Sequence, residues 1–241
     1  MQMSRSKSMI YDTLALYYDA LVKDDQATLA WVNWIQSSLS PCRVLELACG
    51  SGEITQALAQ RGYQMTALDQ SESMIQQAKA KKKGDPIQYL CQDMRNLCGL
   101  GNFEAILCLC DSFNYLLEPQ EVQQFFLEVH DHLSENGLFF FDTHSLDRLQ
   151  EFQEEFNETG HIFDVDYQWS ITSEENYIYQ DFAFYKEDGT VIEEHHMQRV
   201  YDPAWLIEIL ELYFTIEKIT TDFDQEGIQE GEKYFFVCRR K

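Results

Sequence analysis

Apolar positions change period several times along the chain. Between residues 26 and 39, Ala27, Ala30, Trp31, Trp34, Ile35 and Leu39 recur at helical spacing, and Ser40-Pro41 marks the exit, so a helix is expected before the first strand. From residue 43 the pattern alternates in type. Short apolar runs at 43–48, 64–68, 87–91 and 104–109 suit strands, whereas 53–61, 71–82 and 119–133 carry helical spacing. The run at 137–142 holds Phe139, Phe140 and Phe141 in succession, which suits a strand covered on both faces. Strands alternating with helices predict an α/β fold: a mostly parallel sheet with helices packed on it.

After Asp142 the texture changes. Residues 150–200 are acidic and aromatic, and the runs 177–185 and 191–200 flank a turn at Asp188-Gly189, which predicts an antiparallel β insertion. A helix at 203–212 and strands at 214–219 and 234–238, separated by the acidic loop 222–232, are expected to rejoin the main sheet. The expected organisation is an N-terminal helical cap at 1–40, a main domain built from 41–145 and 201–241, and an inserted lobe at 146–200. The lobe's aromatics, Phe163, Tyr167, Trp169, Tyr177, Tyr179, Phe182 and Tyr185, have three readings: they pack its own core, roof a site, or form a homodimer surface.

Charge narrows the partners. The 41 acidic residues against 18 basic ones give a net charge of -23, which repels phosphate backbones, so nucleic acid is not an expected partner. The one dense basic run, Lys79 with Lys81 to Lys83, follows a helical stretch, where cations meet the negative end of the helix dipole. No signal-like run follows the N-terminus and no uncharged stretch reaches the roughly 18 residues needed to span a bilayer, so a cytoplasmic protein without a membrane partner is expected. The seven cysteines show no C-x-x-C spacing and read as reduced thiols, with no disulfide framework and no metal site.

The segment Val44 to Thr55 carries the most chemistry. An apolar strand contains Glu46, turns through Gly50 and Gly52, and opens a helix. An acid inside an apolar parallel strand is costly unless it has partners, which marks Glu46 as functional. A dinucleotide fingerprint needs a third glycine where Thr55 stands, and no Gly-Lys-Ser or Gly-Lys-Thr loop occurs. Asp69 ends the second strand about twenty residues past the glycines, where a carboxylate accepts from both ribose hydroxyls. Asp93 and Asp111 follow the third and fourth strands, so polar groups gather at the carboxyl edge where open α/β sheets bind ligands.

Taken in order, Glu46 with the Gly50-Ser51-Gly52 turn, Asp69, and Gln92-Asp93-Met94 resemble the motifs of class I S-adenosylmethionine-dependent methyltransferases over roughly residues 17–142. The Tyr17-Tyr18-Asp19 opening, the stretch from Cys110 to Leu116 and the later His195-His196-Met197-Gln198-Arg199 resemble a narrower bacterial subgroup of YqeM type. The resemblance implies a Rossmann-like, seven-stranded sheet and S-adenosylmethionine as cofactor, with S-adenosylhomocysteine as product. By the same resemblance, Glu46 and the backbone of Ala48, Cys49 and Gly50 cradle the methionine end, and Asp69 holds the ribose. Gln70 and Met74 border the adenine, Asp93 accepts from its amino group beside Met94, and Leu109, Cys110 and Asp111 lie near the sulfonium. Tyr18 closes over the site. The sequence departs from the common pattern at Ala48 and Cys49.

Methyl transfer from a sulfonium needs mainly positioning, plus a base where the acceptor is an oxygen or a protonated nitrogen. His144, just past the fifth strand, and His195 or His196 are the candidate bases, and the adjacent pair must face opposite sides of a strand. The expected function is methyl transfer to a small-molecule acceptor. Its alternatives are a non-catalytic adenosyl-binding or interaction module, and an NAD-dependent oxidoreductase, which Thr55 disfavours.

Overall fold

The computed structural model describes residues 17, 20–21, 24–81, 84 and 86–241. Helix α1 (Asp25–Gln36) starts where the Asp24 carboxylate accepts the amides of Gln26 and Ala27 at 2.7 and 3.1 Å. Then follow β1 (Arg43–Leu47), α2 (Glu53–Ala59), β2 (Gln64–Asp69), α3 (Glu72–Ala80), β3 (Gln88–Cys91) and β4 (Phe103–Cys108). A 3-10 turn (Ser112–Tyr115) leads to α4 (Pro119–His132) and the long β5 (Leu133–His144). After α5 (Asp147–Glu151) come β6 (Phe156–Ile162), β7 (Val165–Glu174), β8 (Tyr177–Lys186) and β9 (Val191–Arg199). The chain closes with α6 (Pro203–Leu210), β10 (Phe214–Thr221), β11 (Gln225–Glu226) and β12 (Lys233–Arg240).

The main sheet has the order β11-β10-β12-β5-β4-β1-β2-β3. Strands β1 to β5 are mutually parallel, and β12 runs antiparallel to both β5 and β10. It holds eight strands rather than the expected seven, because the acidic loop folds back as the two-residue β11, pairing Thr220 with Glu226. The chain winds from β1 to β3 in one direction and returns at β4 on the other side of β1. That reversal opens a crevice at the carboxyl ends of β1 and β4.

Successive β5 phenylalanines serve opposite layers, as a strand period of two requires. Phe139 and Phe141 pack with Phe125 and Phe126 of α4 and with Leu206 and Leu210 of α6. Phe140 packs on the other face with Trp34 of α1, Leu58 of α2 and Ile75 of α3. The second sheet, β6-β7-β8-β9, is wholly antiparallel and has its own cores, one of them Tyr17, Val165, Phe182 and Phe184. No helix among the described residues is long and apolar enough to cross a membrane.

Candidate active site

The turn from β1 to α2 has three residues in left-handed backbone: Ala48 (φ 51°), Gly50 (φ 53°) and Gly52 (φ 78°). Gly52 begins α2, and a Cβ there would lie 2.8 Å from Tyr89 Oη and 3.1 Å from Ala78 Cβ. Glycine is thus required for both conformation and space. Asp69 ties this turn to the next. Its Oδ2 accepts the Gly50 amide at 2.9 Å and its Oδ1 accepts the Ser71 amide at 2.8 Å. Each oxygen keeps a lone pair for a further donor. Burial raises the Asp69 pKa, and the two amides oppose the rise.

Glu46 is 3% exposed and accepts the Thr55 hydroxyl at 2.5 Å. Burial pushes its pKa up to about 7; Thr55 opposes the rise and the nearby Asp69 charge adds to it. Thr55, the residue in place of a third glycine, is therefore the hydrogen-bond partner of Glu46.

Beyond β3, the Gln92 amide donates to the Asn96 carbonyl at 2.6 Å and fixes the loop. Asp93 is gripped by Arg95, with Nη2 to Oδ2 at 2.6 Å, and Arg95 also reaches Glu121 Oε1 at 2.6 Å. Burial alone would raise the Asp93 pKa, but its bonds to Arg95 hold it below the usual carboxylate range. Past β4, Cys110 and Asp111 are both left-handed, with φ of 56° and 54°. This turn faces Cys110 to the crevice and Asp111 to Lys233 behind it.

The crevice is a cavity of about 490 Å³. Glu46, Ala48, Cys49, Gly50, Asp69 and Gln70 border it, as do Met74, Gln92, Asp93, Met94, Leu109 and Cys110. Gly52 does not, because it packs on Tyr89, and Asp111 does not, because its carboxylate turns inward. Of the three histidines only His195 reaches the cavity. His144 is buried, with Nε2 3.2 Å from Gln198 Oε1. His196 faces the lobe core, with Nδ1 3.0 Å from the Tyr115 hydroxyl. Tyr18 lies outside the described residues, as do Asp19, Lys82 and Lys83. The sequence reading missed Ala27, Thr28 and Trp31 of α1, together with Arg95, Tyr115 and Met197. Their signal was present only as helical spacing and as neighbours of recognised motifs.

Among the described residues five acids border the cavity, Asp24, Glu46, Glu53, Asp69 and Asp93, against one basic side chain, Arg95, which is already paired twice. Such a lining favours a ligand of net positive charge and opposes a pyrophosphate. S-adenosylmethionine, with ammonium and sulfonium against one carboxylate, fits this donor set, and the buried acid at the end of β2 fits its ribose.

A glycine turn at the switch point of a mostly parallel sheet, with acids on adjoining strand ends, defines an adenosyl-binding α/β enzyme. Residues 44–137 match the family model described as a methyltransferase domain. Over 96% of its length the chain is 34% identical to YqeM of Bacillus subtilis (strain 168), named as a methyltransferase, and spans 98% of that protein. It is 33% identical to another protein so named, from Geobacillus sp. (strain WCH70), spanning all of it. A crystal structure of an S-adenosylmethionine-dependent methyltransferase from Clostridium acetobutylicum ATCC 824 superposes with a TM-score of 0.81 at 25% identity, over 95% of this chain and 98% of that one. The chain belongs to this family of S-adenosylmethionine-dependent methyltransferases.

Proposed function

We propose that the enzyme methylates a small-molecule nucleophile entering from the lobe side of the cavity, and that it acts in the cytosol, where its seven free thiols stay reduced. The observation that carries the reading is one continuous cavity. The acids of β1 and β2 wall one end, and Tyr115 of the 3-10 turn with His195 and Met197 of β9 wall the other. Its volume of about 490 Å³ suits a small ligand. The net charge of -23 argues against nucleic acid as the acceptor.

When bound, S-adenosylmethionine supplies a methyl group already activated on its sulfonium; the residues around it orient the partners and exclude water. Asp69 offers its remaining lone pairs to the ribose hydroxyls. Glu46 and the backbone of Ala48 to Gly50 hold the methionine end. Gln70 and Met74 border the adenine, Asp93 and the Met94 amide meet its amino edge, and Leu109 and Cys110 form the wall leading to the acceptor. His195 is the base. Its Nδ1 lies 2.6 Å from Oδ1 of Asp181, its direct partner across the β8–β9 ladder. That bond keeps a proton on Nδ1 and leaves Nε2 to take the proton that a hydroxyl or ammonium acceptor gives up. The exposed ring then returns it to water. His196, on the other face of β9, supports Tyr115 from behind.

Titration calorimetry with S-adenosylmethionine, S-adenosylhomocysteine and NADH tests the pocket. Both adenosyl ligands bind the wild type, Asp69→Ala loses them, and tight NADH binding would overturn the assignment. Tritiated methyl donor is then supplied with deproteinised bacterial extract. Label in a low-mass product supports a small acceptor, and label that appears only when macromolecules are restored sinks it. With the product in hand, His195→Gln slows transfer by roughly a hundredfold without changing cofactor affinity. His161→Gln, which breaks a similar 2.8 Å pair with Asp166 away from the cavity, changes neither.

A further inference from the structure

Three charged side chains meet behind the Cys110 wall. Lys233 Nζ bonds Asp111 Oδ1 and lies 3.3 Å from Asp142 Oδ2, which also accepts the Asp111 amide at 2.9 Å. The side chains are 22%, 23% and 0% exposed for Lys233, Asp111 and Asp142. Two carboxylates against one ammonium leave one negative charge uncompensated. Asp142 Oδ1 is buried, out of reach of bulk solvent, and has no hydrogen-bond partner among the described residues.

The groups around the cluster do not cancel this charge. His144 Nε2 is 3.8 Å from Asp111 Oδ2; burial lowers the His144 pKa, against the pull of Asp111, and keeps the ring neutral. The Gln198 amide donates to the Asp111 carbonyl at 3.2 Å, and the Trp31 ring lies 5.9 Å from Lys233 Nζ. Arg148 acts on Asp111 only from a distance and has its own partners, Glu151 at 2.6 Å and Glu232 at 3.9 Å. Burial and the neighbouring Asp111 raise the Asp142 pKa and Lys233 opposes the rise; the Lys233 ammonium at 3.3 Å and the Asp111 amide at 2.9 Å both favour the carboxylate form. The cluster remains at minus one.

Methyl transfer changes the charge of the bound adenosyl ligand. The sulfonium breaks its bond to the methyl carbon, keeps the electron pair and becomes a neutral thioether, while the acceptor's proton leaves through the base. The sulfur joins the ribose carbon to the methionine chain, so with Asp69 holding the ribose and the turn after β1 holding the methionine end, as proposed above, it would be held between them. Its methyl would then be presented along the Leu109–Cys110 wall, which borders the cavity after β4, the neighbour of β1. We propose that the Asp111–Lys233–Asp142 cluster is a specificity device: its uncompensated charge behind Cys110 makes the pocket hold the sulfonium cofactor in preference to the thioether product. The product then exchanges for fresh cofactor readily. This rests on the adenosyl site described above.

Calorimetric affinities for S-adenosylmethionine and S-adenosylhomocysteine at pH 7.5 test it, in wild type, Asp142→Asn and Asp111→Asn. Each variant removes one negative charge with nearly unchanged shape. The Kd for the sulfonium ligand rises roughly three- to tenfold in either variant, while that for the thioether stays within about twofold. Equal weakening of both ligands would mean that the cluster only shapes the turn, and unchanged affinities would mean that its charge is not felt; each overturns the proposal. Where one variant does not fold, the other gives the answer. Wild-type protein that bound neither ligand would instead overturn the site itself. Variants are preferred to a pH series because Glu46, which borders the cavity, titrates near 7.

Discussion

Glu46 shows at the scale of one residue how a binding site costs stability. Its carboxyl has a pKa raised by burial to about 7 from an ordinary 4.5, so the folded protein holds a proton that the unfolded chain releases. The sign follows: the contribution is fully present below the unfolded value and is lost as pH rises through the folded one, about 3 kcal/mol in all. Thermal melts of ligand-free protein at a series of pH values between about 5 and 8 should therefore fall more steeply for wild type than for Glu46→Gln. The variant should melt higher at the alkaline end yet bind S-adenosylmethionine more weakly; parallel melting curves would refute the assignment. Thr55→Val, which removes the 2.5 Å donor to Glu46, should cost roughly 1–2 kcal/mol and shift the Glu46 titration further upward. The acid itself was legible from sequence because it interrupts an apolar strand. Its partner was not, since Thr55 entered the reading only as an absent glycine, and the turn that brings the two together is a three-dimensional fact.

Among the elements, the alternation of strand and helix periods was enough to place the parallel half of the sheet and both glycines of the turn. Gly52 is where element packing and site geometry coincide. Gly52→Ala must both hold φ near 78° and push against Tyr89, so denaturant unfolding should show a loss of roughly 1–3 kcal/mol. Adding Tyr89→Phe removes the nearest clashing atom but not the backbone strain, so recovery should be partial, and full recovery would remove backbone conformation from the explanation. Elements whose ends are polar were read short. Strand β5 runs from Leu133 to His144, but the apolar run stops at Asp142, so His144 looked like a loop residue free to reach a substrate. It is instead part of the strand and is held beside Gln198. Strand β6 left little apolar pattern because it is a largely exposed edge containing Asn157, Glu158, Thr159 and Gly160.

For the molecule as a whole, the net charge of -23 compresses many like charges onto one surface. Raising sodium chloride from about 20 to about 300 mM should increase the melting temperature by a few degrees, since salt screens exposed charges. A flat response would mean that acid–acid repulsion is already relieved by local pairing. The whole-chain topology also explains what no sequence motif announced: Lys233 lies 122 positions from Asp111, and only the insertion of β12 between β5 and β10 joins them. That order of events matters while the protein is being made. A nascent chain that has not yet delivered β12 leaves β5 as an open sheet edge, with Phe139 and Phe141 lacking the cover of Phe236 and with two acids lacking their cation. The wall behind Cys110 is therefore complete only once β12 has added beside β5, and a stalled or truncated polypeptide carries a sticky, aromatic edge that chaperones and proteases can recognise. Strand β12 thus acts as a check on the sheet strands that precede it in the chain.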